Sequence, residues 1–381
     1  MGLTYHELGP ADRAELVDLW SEVYNRGQQF EEGRLSRDFE MPVGVRYDNR
    51  LVAAASIHSF DFSRGSASLH GGGVAMVAVR PDSRGIGAGT ALVRGVLESL
   101  HTHGYDLSVL YGFRERFYRP FGYELAGDSV LVRCPSHLFP KISPQLNVRR
   151  ISPDELHLLQ PAYDGFRANH AGIARRGPAE WQNRMGLRAP MIYGAGDPVE
   201  AYAWTSMEGG FFDEFQMGEF VWSTRRGYET ILDCIRGLAF NRSAAKWTEP
   251  SPSPFQHRFA DEGITFTNHR VAMWRIVNLP QALERLSGRG AGVFSLEVED
   301  PRFPQVHGAW RVEFDASGTH VQRASGGTIK LKVGTLSQAL MGQPSVTALM
   351  EMGMIESRDA AEFQAMQNLL TPQSVFCSEF F

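Results

Sequence analysis

Cysteine, basic excess and long apolar runs are all scarce in this chain of 381 residues. Its three cysteines, Cys134, Cys234 and Cys377, stand far apart, with no Cys-x-x-Cys pair and no close histidine partner. They indicate neither a disulfide framework nor a zinc site, and read as buried thiols; no metal is expected. A formal net charge of -5 leaves no basic groove to follow a phosphate backbone, so no nucleic-acid partner is expected. No apolar run approaches a membrane span, the opening MGLTYHELGP has no apolar signal core, and His6 breaks the myristoylation pattern. A cytoplasmic protein with no membrane partner is the expectation. The balance of 43% hydrophobic and 21% charged residues is that of a folded globular chain. At about 150 residues per domain its length predicts two or three domains.

What is present is organised around residues 73–100. Val74 to Val79 are small or apolar and predict a buried strand, and Arg80-Pro81-Asp82-Ser83 ends it. The run Arg84-Gly85-Ile86-Gly87-Ala88-Gly89 then opens a helix whose Leu92, Val93, Val96, Leu97 and Leu100 share one face. A helix start nearly bare of side chains lets its orphan amides close on an anion, which the helix dipole also favours. The stretch therefore predicts a pyrophosphate seat. A P-loop is ruled out, because no Gly-Lys-Ser/Thr follows. A Rossmann turn does not fit either, since four residues separate the strand from Arg84 and the third glycine position is Thr90.

The spacing resembles the acetyl-CoA signature of the GNAT N-acetyltransferases, Arg-x-x-Gly-x-Gly, here Arg84, Gly87 and Gly89. The resemblance implies that Arg84, Gly85, Ile86, Gly87, Ala88 and Gly89 hold the pyrophosphate of acetyl-CoA. It also implies that the cofactor strand bulges at Val77, Ala78 and Val79, freeing the amides of Val77 and Val79 for the thioester carbonyl and pantetheine. Phe117 to Glu124 is similar to the Phe-Tyr-x-x-Phe-Gly-Tyr segment of the same enzymes. A departing thiolate needs a proton that a phenol of pKa ~10 can supply, so Tyr118 is the candidate acid. Phe117, Phe121 and Tyr123 read as an aromatic cluster around it.

Taken in order, Glu7 to Val23 reads as a first helix, and Val43 to Arg46 with Leu51 to Phe60 as a hairpin. Ser66 to His70 reads as a separate strand before Gly71-Gly72-Gly73, and Leu107 to Leu110 as another. Ser136 to Pro144 is linker-like. Val148 to Ile151, then Ser152-Pro153-Asp154-Glu155, restarts the pattern with a strand and a capped helix start. Tyr202 to Ser206, Glu219 to Trp222, the turn Ser223 to Gly227 and a helix through Ile231, Leu232, Ile235 and Leu238 repeat the cofactor unit without its second glycine and with bulky Tyr228. This is a degenerate copy that should bind no acetyl-CoA. Val271 to Val277 reads as its last strand. Beyond it come strands Gly292 to Glu299, Gly308 to Phe314 and Ile329 to Val333, and helices Gln281 to Leu286, Gly334 to Met341, Ser345 to Met352 and Asp359 to Leu369. The segment Phe294 to Ile355 resembles the sterol-carrier-protein fold, with Met341, Met350, Met352, Met354 and Met366 read as core filler.

The expected fold is thus α+β: a GNAT domain at 1–140, a degenerate GNAT-like domain at 141–278 and a sterol-carrier-like domain at 279–381. That arrangement resembles the enhanced intracellular survival (Eis) family of N-acetyltransferases, as do Asp300-Pro301, Gly308-Ala309-Trp310-Arg311 and the terminal Phe380-Phe381. One departure is Gly85 and Ile86, where family members commonly carry arginines. The resemblance implies a homo-oligomer, a hexamer. It also implies that the terminal carboxylate of Phe381 is the catalytic base opposite Tyr118, acting directly or through a water. The small-molecule acceptor is then an aminoglycoside-like or lysine-like amine. Glu31, Glu32 and Glu379 are available to attract such a cation, although each reads first as a solvated surface acid. The alternative is a non-enzymatic binding or scaffolding module that keeps the fold.

Overall fold

The computed structural model describes residues 2–30, 35, 40–185, 191–205, 210, 212–269, 272–379 and 381. The first section runs β1 (Thr4–Glu7), α1 (Arg13–Tyr24), β2 (Pro42–Tyr47), β3 (Arg50–Arg64), β4 (Ala67–Val79), α2 (Ala88–Thr102), β5 (Leu107–Leu110), α3 (Glu115–Tyr118) and β6 (Glu124–Leu125). The second runs β7 (Ser129–Pro135), β8 (Val148–Ile151), α4 (Gln160–Asn169), α5 (Pro178–Met185), β9 (Met191–Ala195), β10 (Ala201–Thr205) and β11 (Phe215–Trp222). It continues through α6 (Arg225–Leu238), β12 (Ala244–Pro250), α7 (Pro254–Phe259), β13 (Thr265–His269) and β14 (Met273–Ile276). The third comprises α8 (Leu279–Glu284), β15 (Gly292–Glu299), β16 (Gly308–Asp315), β17 (Gly318–Arg323), β18 (Ile329–Lys332), α9 (Val333–Met341), α10 (Val346–Glu351), β19 (Ile355–Ser357) and α11 (Ala360–Leu369).

Two seven-stranded sheets have matching orders, β1-β2-β3-β4-β5-β14-β6 and β8-β9-β10-β11-β12-β7-β13. The sixth strand of each comes from the other side of the predicted division at residue 140. Thus β7, on the N-terminal side of residue 140, pairs with β12 and β13, whereas β14 enters the first sheet between β5 and β6. Division points at 140 and 278 cut the sequence but not the sheets, because the two copies exchange a strand. The third section is a five-stranded sheet, β17-β16-β15-β18-β19, covered by helices.

Several elements differ from the periodicity reading. Thr4–Glu7 is an edge strand on β2, and the first helix begins only at Arg13, after Pro10. The polar side chains of this four-residue edge carry no apolar alternation that would mark it as a strand. The separate strand at Ser66 to His70 is instead the first half of β4, which runs through the three glycines without a break. Glycine is needed there for close approach: a Cβ at Gly71 would lie 2.6 Å from the Leu107 side chain, and one at Gly73 2.7 Å from Phe60. Ser206, Val271 and Phe380 fall outside the described residues.

One continuous core joins the first and third sections. Ala53, Ala55 and Ile57 of β3 and Leu92, Val96, Leu97 and Leu100 of α2 share it with Leu336, Leu340 and Met341 of α9. The opposite face of the first sheet, with Ala54 and Ala78, is covered by Leu16, Leu19 and Trp20 of α1. Docking of the third section is polar as well: a buried Arg275–Asp300 pair, Ser337 Oγ accepting from the Ile276 amide at 3.0 Å, and Gln338 donating to the Leu125 carbonyl at 2.7 Å. The second sheet has separate cores on its two faces, one on α6 and one on α4.

Burial pushes up the ionisation of several groups in these cores, among them Tyr123 to about 12, Cys134 to about 12 and Cys377 to about 11. Tyr111, Tyr118, Tyr163 and Tyr202 move in the same direction for the same first cause, desolvation. Each group folds in its neutral form, so its contribution is complete below its unfolded value and lost as pH rises above it. Stability is expected to be flat up to about pH 9 and to fall from pH 9–10 upward. Denaturant melts across pH 7–11, followed by tyrosinate absorbance, check this: tyrosinate signal should rise with unfolding rather than before it.

Candidate active site

The site is built where β4 and β5 part. Their parallel ladder holds only for Gly71↔Leu107, Gly72↔Ser108 and Gly73↔Val109. Beyond Gly73 β4 turns away, and its register with β3 slips by one residue: Ser56 faces Ala75 while Ala54 faces Ala78. The extra residue is a bulge, and within it Met76 has φ +51, a left-handed value that costs a non-glycine residue about 1–2 kcal/mol. Two aromatic residues of α1 pin the strained segment. Trp20 Nε1 donates to the Met76 carbonyl at 2.9 Å, and the Tyr24 hydroxyl donates to the Val77 carbonyl at 2.5 Å. Val77 and Val79 are therefore held, half-buried, on the edge of a fork.

At the mouth of the fork lies the glycine-rich run. Gly85 and Gly87 have φ +86 and +90, and Gly87 caps α2 without any side-chain hydrogen bond. Arg84, Gly85, Ile86 and Gly87 are exposed, whereas Ala88 is buried as the helix begins. A Cβ at Gly89 would touch the Phe117 ring at 3.3 Å and the Val79 side chain at 3.5 Å. The amides that open this 15-residue helix, with no side-chain cap at Gly87, fit a pyrophosphate, and the splayed strands behind them fit an extended thioester arm.

Tyr118 ends α3, 2% exposed, with ring centroids 5.0 Å from Phe117 and 6.0 Å from Tyr123, both edge-on. Burial raises its phenol, so it is protonated throughout the physiological range. It packs against the strand continuing β5: a Cβ at Gly112 would lie 3.4 Å from the Tyr118 ring. Phe381 arrives at the adjacent residue. The Phe381 ring lies 5.5 Å from that of Tyr111 and 5.3 Å from that of Phe60, and a Cβ on Gly73 would be 3.1 Å from it. Phe381 and Tyr118 thus flank the end of one strand, at the point where the fork opens.

The reading of Glu379 as a solvated acid is corrected. It is buried, 8% exposed, and accepts from Arg176 Nε at 2.7 Å and Arg184 Nη1 at 3.4 Å, while both arginines also bind Glu219. Its charge is spent on these partners because the tail crosses between the two sheets, where an unpaired carboxylate would be strongly destabilising. Glu31 and Glu32 lie outside the described residues. Beside the tail is a cavity of about 660 Å³, walled by Tyr111 and Phe113, by Met217 and Phe220 of β11, by Trp247 of β12, and by Phe376 to Glu379. No local motif announces Tyr24, Met76, Arg176 or Arg184, since each acts through a partner distant in sequence.

The second sheet contains the same fork in closed form. β11 and β12 are parallel only at Phe215↔Ala245 and Gln216↔Lys246. Thr224 caps α6, accepting from the Gly227 amide at 3.1 Å, and Glu200 lies beside this helix start, accepting from the Thr224 hydroxyl and from Arg226 Nε. Tyr228 stacks on Phe220 at 5.2 Å and donates to the buried Glu249 at 2.7 Å.

This geometry is that of an N-acetyltransferase with a GNAT domain. Residues 4–126 match the acetyltransferase (GNAT) domain model, and residues 279–378 match the sterol carrier protein domain model. An uncharacterized N-acetyltransferase of Streptomyces coelicolor is 26% identical over 326 residues, 78% of each chain. One of Streptomyces avermitilis is 23% identical over 91% of this chain and 87% of its own. Among solved structures, a probable N-acyltransferase of Enterococcus faecalis superposes over all of both chains with TM-score 0.88 at 20% identity. Eis1 of Mycobacterium abscessus does so over 99% of this chain and all of its own, with TM-score 0.80 at 17% identity. The fold is accordingly two GNAT domains followed by a sterol-carrier-like domain.

With one seat open and the other occupied by its own side chains, coenzyme A should bind once per chain. Calorimetry is expected to give a stoichiometry of one, and Gly87→Trp to abolish binding, because φ +90 disfavours a side chain and an indole in front of α2 would fill the pyrophosphate position. Two sites in the wild type would mean that the second fork opens.

Proposed function

We propose that the chain transfers the acetyl group of acetyl-CoA to an amine of a small cationic acceptor, in the manner of the Eis family. The observation that carries this reading is the approach of the Phe381 ring to the fork beside Gly73 and Tyr111, next to Gly112, on which Tyr118 packs. The full-length likeness in fold to Eis1 supports it.

In this reading the backbone of Val77, Ala78 and Val79 holds the thioester arm, with the Val77 and Val79 amides on its carbonyl. Arg84 to Gly89 hold the pyrophosphate. The cavity beside the tail has the size of a small-molecule site and takes the acceptor, aminoglycoside-like or lysine-like. The amine nitrogen attacks the carbonyl carbon, and the C–S bond breaks. Of the two protons the ammonium gives up, one replaces the Tyr118 proton donated to sulfur and the other leaves to solvent. The products are an N-acetyl amine, coenzyme A thiol and one proton. A carboxylate of ordinary pKa near ~3.5 is a weak base for an ammonium near ~10, so the Phe381 carboxylate contributes mainly by stabilising and steering the departing proton, directly or through one water. Burial of Tyr118 keeps its phenol loaded with a proton at every working pH.

The decisive experiment alters the chain end. Adding one or two glycines after Phe381 turns its carboxylate into a neutral amide, and turnover is expected to collapse while the fold and coenzyme A binding survive. Tyr118→Phe is expected to lower kcat ~100-fold at unchanged acetyl-CoA affinity. Wild-type rates of coenzyme A release from both variants would refute the assignment.

A further inference from the structure

The tail that carries Phe381 is fixed by charges to which no chemical step has been assigned. Arg176 is buried, its guanidinium 4.3 Å from the centre of the Tyr163 ring and 4.9 Å from that of Trp181. Held between these faces, it donates through Nε to Glu379 Oε1 at 2.7 Å and through Nη1 to Glu219 Oε2 at 3.1 Å. Arg184 closes the group, donating to Glu219 at 3.2 Å, to Glu379 at 3.4 Å and to the Ser378 carbonyl at 3.3 Å. Two cations and two anions balance, so a loss of either acid leaves a buried guanidinium uncompensated.

Position along the chain gives this group its consequence. Glu379 is two residues from the terminus, and two residues reach at most ~7 Å. Where Glu379 is held therefore limits where the terminal carboxylate can lie. The same residue is gripped from the fork side, since the Tyr111 hydroxyl donates to the Glu379 carbonyl at 2.7 Å and the Tyr111 ring bears the Phe381 ring. Glu219 comes from β11 of the second domain, whereas Tyr111 extends β5 of the first. The end of the chain is thus registered against both sheets at once.

We infer that Arg176 is a positioning residue for acetyl transfer: through Glu379 it holds the chain terminus in register with the fork, so that the Phe381 carboxylate faces the acceptor. The inference rests on the terminal-carboxylate reading given above. A residue needed only for folding lowers stability and every kinetic constant together. A positioning residue lowers kcat while the coenzyme A seat, which is built from α2 and β4, keeps its affinity.

The test uses the full chain with Glu379→Gln, which keeps the shape and removes the charge, and Arg176→Lys, which keeps the charge and loses the two-sided hydrogen bonding. Three quantities are measured: kcat, coenzyme A affinity by calorimetry, and the rate at which carboxypeptidase A removes Phe381, followed by mass spectrometry. Both variants should lose at least tenfold in kcat, bind coenzyme A within twofold of wild type, and release Phe381 at least tenfold faster. Where Glu379→Gln fails to fold, Glu379→Asp serves, retaining the charge on a stem one methylene shorter; it should show the same split at several-fold size. Variants with wild-type kcat and a protected terminus would overturn the inference. A chain lacking Phe381 separates the two readings. Full activity in that chain refutes the terminal base, whereas an inactive truncated chain beside active, protected Glu379 and Arg176 variants refutes the positioning role alone.

Discussion

The parallel ladder between β4 and β5 is three residues long, and the geometry of the site follows from where it stops. Gly71, Gly72 and Gly73 bring the strands together, and the bulge at Met76 then carries β4 away from its neighbour. A left-handed methionine is unfavourable by itself, so the bulge persists because Trp20 and Tyr24 satisfy the carbonyls it turns outward. Helix α1 therefore matters for more than covering the sheet, because it sets the width of the gap in which the thioester arm would lie.

The same gap explains why Phe381 can reach the first domain. Strand exchange fixes the two sheets to one another, and the tail is laid into the seam between them. Val375 bridges to Ala171, Arg64 binds the Thr371 carbonyl at 2.6 Å and Gln373 Oε1 at 3.0 Å, and Arg176 holds Glu379. Arg64 meets carbonyl and amide oxygens rather than a carboxylate, and burial draws its pKa down to about 10. Each contact spans hundreds of residues of sequence, so the tail can settle only when all three domains have formed.

Legibility in the sequence followed the range of the forces involved. The helix α2, strands β15 and β16 and the glycine-rich seat are set by periodicity and by backbone freedom within a few residues, and they could be read from residues 73–100 and 292–314 alone. The capped start at Ser152 was legible for the same reason. β14 was readable as a strand, but nothing in Met273–Ile276 says which sheet receives it, because a buried apolar run fits either. Glu379 was misread on the ordinary rule that acids are solvated. Its two arginines lie some 200 residues away, and only the crossing of the tail brings them together.

Comparison of the two forks shows how one topological device serves two ends. Both sheets part after a short parallel ladder, both place a helix N-terminus at the mouth, and both line the gap with aromatic residues. In the second, Thr224 caps the helix start by accepting from the Gly227 amide, Glu200 is bonded to Thr224 and Arg226 beside it, and Tyr228 donates to Glu249, so side chains stand where the first fork has bare glycines. A closed fork still leaves splayed strands, and Met217, Phe220 and Trp247 on those strands become a wall of the cavity beside the tail. The second domain thus has the splayed strands of the fork without its bare-glycine helix start, and those strands face Tyr111 and the tail across the cavity.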